Sequence, residues 1–299
     1  MRMLIGVDGS ASSLDAVRMA AGLVDPARDS VAICFSPLEL QKRLPGRSQS
    51  VIDGATAAIF EEASTLLPRD LATRPELLAV PQPAAVGLLE SATKWRADLL
   101  VLGARGHGSL ERFLLGSVSR AVVHGAALPV LVVRNAPPAD RGLRVLVCHH
   151  PASTAAIVGV AGGLHWPANT QGSVIGVAES LLAGPLPPWL EKRIRDPDTA
   201  AIAQAWQREH DDEVQALGGQ VAAMQAVLPP AFRGTPPIVV EGNPAEKIML
   251  QAKQDGTDLI VLGRTPTDAF SRWLLGSTSE AVLTHAPTSV LIVPVEKRA

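Results

Sequence analysis

Tyrosine is absent from the 299 residues, and phenylalanine and tryptophan bring the aromatic share to only 3 %. With 47 % hydrophobic residues, the core must be built from Val, Leu, Ile and Ala. Charge of one sign is also missing: 27 Lys and Arg stand against 29 Asp and Glu, a formal net charge of −2. No basic excess marks a nucleic-acid footprint, and no run of like charge suggests a tail. The two cysteines, Cys34 and Cys148, sit singly in the apolar runs ICF and VLVCHH. They form no CxxC pair and no disulfide framework, and read as small buried hydrophobes of a reducing compartment. No apolar stretch approaches the ~18 residues that cross a bilayer. The opening MRMLIGVDGS reads as strand and turn, not as a signal-peptide core. The expectation is a cytoplasmic protein with no membrane and no nucleic-acid partner. The sequence also lacks GxxxxGK[ST], GxSxG and HExxH. The P-loop lysine, the nucleophile elbow and the zincin helix are thereby excluded.

What is present is a glycine loop. VLGARGHGSLERFLLGS, residues 101–117, follows the apolar run at 98–102 and precedes a helix-like run from Ser117 to Ala126. Its spacing is Gly103-x2-Gly106-x9-Gly116-Ser117. A strand ending in such a loop and feeding a helix start can cradle phosphate. Glycine lets backbone N–H groups approach an anion, and the helix N-terminus offers unpaired donors with a partial positive charge. Ser117 and Ser119 add hydroxyl donors. Arg105, His107 and Arg112 read either as screens for phosphate charge or as a solvated loop.

The pattern returns as VLGRTPTDAFSRWLLGS at 261–277, and 17 of 36 positions match between residues 98–133 and 258–293. This repeat makes the chain tandem. The N-terminal parts align by eye with Leu4-Ile5-Gly6-Val7-Asp8 over Val145-Leu146-Val147-Cys148-His149. The second copy holds extra residues between its second strand and the strand near Ile238. The domains are expected at 1–138 and 142–299, separated by the breaker-rich linker 135–142.

Each copy alternates short apolar runs with helix-period segments. The first predicts strands at Leu4–Val7, Val31–Phe35, Leu77–Val80, Leu99–Leu102 and Val130–Val133. Helices fall at Ser13–Leu23, Ile52–Leu67, Ala84–Trp95 and Ser117–Ala126. Continuous Val, Leu and Ile runs mark strands buried on both faces, and the alternation implies a parallel sheet with right-handed crossovers. The extra segment, about 181–230, reads as an irregular arm around Gly184–Pro188 and a long helix over Asp198–Val227. That helix is either an extended second layer or a partner-binding surface.

Asp8 closes the first strand, where ligands sit in an open parallel sheet. It either opens an Asx-turn and caps the following helix or accepts hydrogen bonds from a nucleoside. Its pairing with the glycine loop favours the second.

VDGSASS after strand one, together with the 103–117 spacing, closely resembles the universal stress protein family in its tandem, ATP-binding form. The resemblance covers the chain apart from the extra segment. It implies two Rossmann-like α/β domains of the adenine nucleotide α-hydrolase-like kind. Each would be a five-stranded parallel sheet of order 3-2-1-4-5 with helices on both faces. It implies that Gly6 and Asp8 flank the nucleoside and that Phe35 lies beside adenine. It also implies that Gly103, Gly106, Gly116 and Ser117 hold the phosphates. Ala104, Arg105, His107, Gly108, Ser109, Val118 and Ser119 complete the expected nucleotide site, with ATP as ligand and room for Mg. It further implies pairing of the two copies through the strand-five edges, an internal pseudo-dimer, with a homodimer of whole chains and a protein partner beyond.

In the second copy Pro266 replaces Gly106, and Thr265 and Thr267 replace Arg105 and His107. On the by-eye alignment Val147 replaces Gly6 and His149 replaces Asp8. Proline has no N–H to offer. His149-His150 does not read as a metal pair, because neighbours on a strand end point apart. The expected function is a regulatory ATP-binding protein with one nucleotide per chain and little or no turnover, and no metal site. A nucleotide-independent interaction protein is the rival, and a slow ATPase the third reading.

Overall fold

A computed structural model describes residues 1–43, 45–106, 115–179, 197–264 and 275–295. The first half runs β1 (Arg2–Gly6), α1 (Ala11–Leu23), β2 (Ser30–Phe35), α2 (Leu38–Arg43), α3 (Gln49–Thr65), β3 (Glu76–Ala79), α4 (Ala84–Lys94), β4 (Leu99–Gly103), α5 (Ser117–Gly125) and β5 (Val130–Val133). The second runs β6 (Arg144–Cys148), α6 (Thr154–Gly163), β7 (Gln171–Ala178), α7 (Pro197–Val227), β8 (Ile238–Glu241), α8 (Pro244–Gln254), β9 (Leu259–Arg264), α9 (Ser277–His285) and β10 (Ser289–Pro294). All strands join one ten-stranded sheet of order β3-β2-β1-β4-β5-β10-β9-β6-β7-β8. Each half therefore has the expected 3-2-1-4-5 order, with parallel neighbours throughout.

The strands alternate between two apolar layers. Met3, Ile5 and Val7 pack with α1 and α3 residues such as Val17, Ala20 and Phe60. Leu4 and Leu100 pack with Leu88, Val122 and Val123 of α4 and α5. Both layers continue into the second half. The short α2 was not anticipated. Within the extra segment, α7 stays helical across Gly218-Gly219 and buries Val221 and Met224 in the first layer. Gly176 of β7 admits it, since a Cβ there would lie 2.5 Å from Val221 Cγ2. This is the extended second-layer reading. The arm at Gly184–Pro188 lies outside the described residues.

The halves meet where β5 and β10 pair antiparallel, Val132 opposite Val290 and Leu131 opposite Leu291. The seam covers two buried edges, Val130–Val133 and the facing β10, and leaves the more exposed strands β3 and β8 at the rims. It also reverses strand direction, so the carboxyl ends of β1–β5 and of β6–β10 lie on opposite edges of the sheet. Side chains cross the seam from both halves. Arg134 donates to the Leu283 carbonyl (2.5 Å) in the last turn of α9, and Arg264 donates to the Val123 carbonyl (3.0 Å) in the last turn of α5. Each cation sits at a helix C-terminus, where the partial charge is negative. Arg120 and His124 both reach Glu280, at 3.2 Å.

The hydrogen bonding corrects the alignment of the two first strands by one residue. Asp98 Oδ2 accepts the Arg2 N–H at 2.7 Å, and Asp258 Oδ2 accepts the Arg144 N–H at 2.8 Å. Leu4 stands beside Leu100, and Leu146 beside Ile260. Leu4 therefore matches Leu146, not Val145. A one-residue slip puts every side chain on the wrong face, and both leucines indeed share the α4/α5-side layer. The counterparts of Gly6, Val7 and Asp8 are thus Cys148, His149 and His150. The following turn is one residue shorter in the second half, which restores the match at Ser12 and Ser153.

Candidate functional site at the carboxyl edge of the first half

A cleft of about 410 Å³ opens at the carboxyl ends of β1, β2 and β4, against the first turn of α5. Its size suits a small organic ligand. Gly6, Asp8 and Phe35 line one side. Gly103, Arg105 and Gly106 enter from the loop after β4, and Gly116, Ser117, Val118 and Ser119 from α5. Ten of the expected residues thus meet in one place. Ala104 does not line it: fully buried, it donates to the Val133 carbonyl at 2.7 Å and accepts from Gly116 N–H at 2.8 Å. His107, Gly108, Ser109 and Arg112 lie outside the described residues.

Asp8 opens the Asx-turn and also lines the cleft. Its Oδ1 accepts the Ser10 N–H at 2.9 Å and the Ser10 hydroxyl at 2.5 Å, an Asx-turn helped by Gly9 at φ +78°. Ser10, rather than Asp8, caps α1 by accepting the Ser13 N–H at 3.2 Å. The second oxygen, Oδ2, faces Gly106, where an added Cβ would stand 2.5 Å away. Gly106 therefore lets the loop pass over the carboxylate. Gly6 leaves space below α4: a Cβ there would come within 2.9 Å of Leu88 Cδ2. Phe35, 3 % exposed, is held by an edge-on contact with Phe60, centroids 6.3 Å apart. Together with Leu40 and Leu88 it makes the apolar part of the cleft.

Three expected phosphate contacts have another occupation. Gly103 is required by packing, since a Cβ would lie 2.6 Å from both the carbonyl and hydroxyl oxygens of Ser12. A substitution there disturbs the start of α1 as well as the cleft. Ser119 donates its hydroxyl proton to the Gly103 carbonyl at 2.7 Å, and so has none left for a phosphate. The Gly116 N–H closes the loop onto Ala104. What faces an anion is the exposed first turn of α5 at Ser117 and Val118, whose N–H groups have no acceptor within the helix. Arg105 adds the positive charge.

Sequence reading missed Ser12, Leu40 and Leu88. Ser12 is visible only as one of several serines. Leu40 lies on a helix too short for periodicity to reveal, and Leu88 looks like any core leucine of α4.

The opposite edge, at the second half, keeps the scaffold and changes the lining. Gly263 would meet Ser153 with a Cβ 2.1 Å from Ser153 Cβ, and Ser279 donates to the Gly263 carbonyl at 2.8 Å, as Gly103, Ser12 and Ser119 do. Gly276 caps α9 as Gly116 caps α5. But Cys148, buried in an apolar setting that pushes its thiol pKa well up, fills the place of Gly6. His150 stands for Asp8, and its Nδ1 accepts the Ala152 N–H at 3.3 Å just as Asp8 takes Ser10. Burial and the neighbouring His149 lower the His150 pKa, against a smaller opposite pull from Glu179. His149 points elsewhere, within 3.1 Å of Thr154 Oγ1 and of Gln220 Oε1 on α7. The region of Pro266 lies outside the described residues. Among the described residues no three His, Cys, Asp or Glu side chains converge to hold a metal. No described helix is long and apolar enough to cross a membrane.

Comparison with known proteins agrees with this architecture. The chain is 29 % identical over 197 residues to a universal stress protein of Mycolicibacterium smegmatis, 66 % of this chain and 62 % of that one. It is 27 % identical over 234 residues to a universal stress protein of Mycobacterium tuberculosis, covering 75 % of this chain and 70 % of that one. In three dimensions it resembles a universal stress protein of Archaeoglobus fulgidus, with a TM-score of 0.57 at 18 % identity over 99 % and 98 % of the two chains. It also resembles a functionally unknown protein of Pseudomonas aeruginosa, with a TM-score of 0.63 at 14 % identity over 98 % and 92 %. The model of the universal stress protein family matches residues 1–134 and 186–294, and the chain belongs to that family.

Proposed function

We propose that the chain is a regulatory protein that binds one ATP, in the first half. The observation that carries this is the cleft itself. It brings together an apolar slot at Phe35 and Leu40, a carboxylate at Asp8, and Arg105 with the first turn of α5. Those three chemistries suit a base, a ribose and a phosphate chain in that order. The asymmetry between halves supports a stoichiometry of one. Cys148 and His150 replace the open floor and the carboxylate, and a histidine cannot copy a carboxylate's acceptor role toward ribose.

We also propose little or no turnover. The described loop residues supply charge and backbone, which bind phosphate but do not take a proton from water, and general-base help is part of what hydrolysis needs. Magnesium would ride with the phosphates rather than on a protein cluster. The β5 and β10 edges are consumed by each other, so a dimer of whole chains would use another surface. Denaturing the purified protein and chromatographing what it releases tests the reading, together with calorimetric titration of ATP. One adenine nucleotide per chain supports it. Two equal sites, or none, overturn it.

A further inference from the structure

Two arginines emerge side by side behind the cleft. The Ala104 N–H donates to the Val133 carbonyl at 2.7 Å, so the chain leaves β4 toward Arg105 next to where it leaves β5 toward Arg134. Arg105 lines the cleft, whereas Arg134 is 6 % exposed and lies behind it. Each carries a buried Nε with no hydrogen-bond partner among the described residues. The groups that Arg134 does bond are neutral. Its Nη2 reaches the carbonyls of Leu283 (2.5 Å) and Thr284 (3.4 Å), and its backbone N–H reaches Ser289 Oγ (3.2 Å). Its pKa is lowered by burial first and by the charge of Arg105 second, and no carboxylate among the described residues acts against them. The end of α9 offers only about half a negative charge. Burying the Arg134 cation beside a second one, with no ion pair to either among the described residues, is costly, and an anion beside Arg105 would relieve that cost.

We propose that Arg134 is a positioning residue for the phosphate tail of the ligand. It backs Arg105 toward the cleft, and the missing counter-charge is supplied by a nucleoside polyphosphate, in preference to a nucleoside or its monophosphate. The inference rests on the nucleotide reading above and adds selection by charge. It also ties the first-half site to the second half, because the guanidinium that supports the phosphate end is the one that holds the last turn of α9. The seam arginine on the other edge, Arg264, bonds Val123 in the same manner. Its half carries Thr265 in place of Arg105.

The test is calorimetric titration of the full chain with adenosine, AMP, ADP and ATP, on the wild type and on Arg134→Gln, Arg134→Met and Arg134→Lys. Wild-type affinity should climb along the series. A neutral residue at 134 should lower ATP affinity about tenfold and leave adenosine within about twofold, since only the charged tail feels the lost field. Arg134→Lys should keep ATP within about threefold of wild type. The ratio of ATP to adenosine affinity is the readout, taken on whichever neutral variant folds by circular dichroism. An equal loss for both ligands would mark Arg134 as seam packing only, and no loss would show that the cleft does not feel it. Either result overturns the inference while the nucleotide reading stands. If the wild type binds none of the four ligands, the nucleotide reading falls and takes this one with it.

Discussion

The two carboxyl edges of the sheet share one backbone and differ in what they can hold. The residues kept at both edges are those the fold itself uses. Gly103 and Gly263 let the start of α1 and of α6 sit against a strand end, at Ser12 and Ser153. Ser119 and Ser279 tie the first turn of a helix to that same strand end. Two described positions that differ line the cleft in the first half, Gly6 against Cys148 and Asp8 against His150, although Asp8 and His150 also hold the turn that follows. A glycine-rich signature is therefore two overlaid patterns, one for packing and one for ligand, and an internal duplicate separates them.

Breaking the ligand pattern should cost most in binding. Gly106→Pro copies the residue of the second half. It removes an N–H, and its ring would meet Asp8, whose Oδ2 lies 2.5 Å from the Cβ position. A lost bond to a charged group with steric conflict is worth about 3 kcal/mol, so ATP affinity should fall about a hundredfold or more. Calorimetry reads the affinity, and thermal unfolding should move little. Retained affinity would remove the loop from the site.

The packing pattern should break at both edges alike. Gly103→Ala and Gly263→Ala each force a methyl into Ser12 or Ser153. Overpacking of this kind costs about 1–3 kcal/mol, visible as a lower urea midpoint with an unchanged slope. Only Gly103→Ala should also weaken ATP. A Gly103→Ala protein of wild-type stability that fails to bind would return Gly103 to the phosphate set.

Asp8→Asn sharpens the comparison at its centre. An asparagine oxygen can still accept the Ser10 N–H, so the Asx-turn survives. The charge toward the cleft is lost, and affinity should drop about tenfold with stability within about 0.5 kcal/mol. A stability loss with unchanged affinity would make Asp8 a turn residue alone.

How much of this was legible beforehand depends on range. The strands and the α/β alternation could be read because apolar runs and the repeat are strong signals over many residues, whereas the strand order and the strand-five seam came from the family resemblance. The gathering of Gly6, Asp8 and Phe35 with Gly103, Arg105, Gly106 and the 116–119 residues followed from that resemblance together with the rule that ligands sit at strand ends. What was not legible depends on single residues. The match of Leu4 to Leu146 turned on a turn one residue shorter, which identity counting over five residues cannot see. The occupations of Ser119 and Gly116 are hydrogen bonds to carbonyls, and carbonyls are the same at every position. Arg134 carries no signal of its own in the sequence, and only the antiparallel seam brings it against α9 behind the cleft.

The smallest expected effect concerns pH at the second edge. His150 holds the turn there with Nδ1 as acceptor from Ala152, which requires that nitrogen to be unprotonated. Its folded pKa lies below the ordinary 6.5, from burial first and then His149, with Glu179 pulling weakly the other way. A histidine whose pKa is lowered by folding binds its proton more readily when unfolded. Its contribution is therefore fully present above the unfolded value and fades as pH falls toward the lowered folded one. Partial exposure keeps the amplitude small. His150→Asn supplies an acceptor that does not titrate in this range. Comparing urea midpoints at about pH 7.5 and about pH 5, the wild type should lose slightly more stability than His150→Asn, with ATP absent from both. An identical loss in the two proteins would show that the turn at the second edge does not titrate, and that the histidine there differs from Asp8 only toward the ligand.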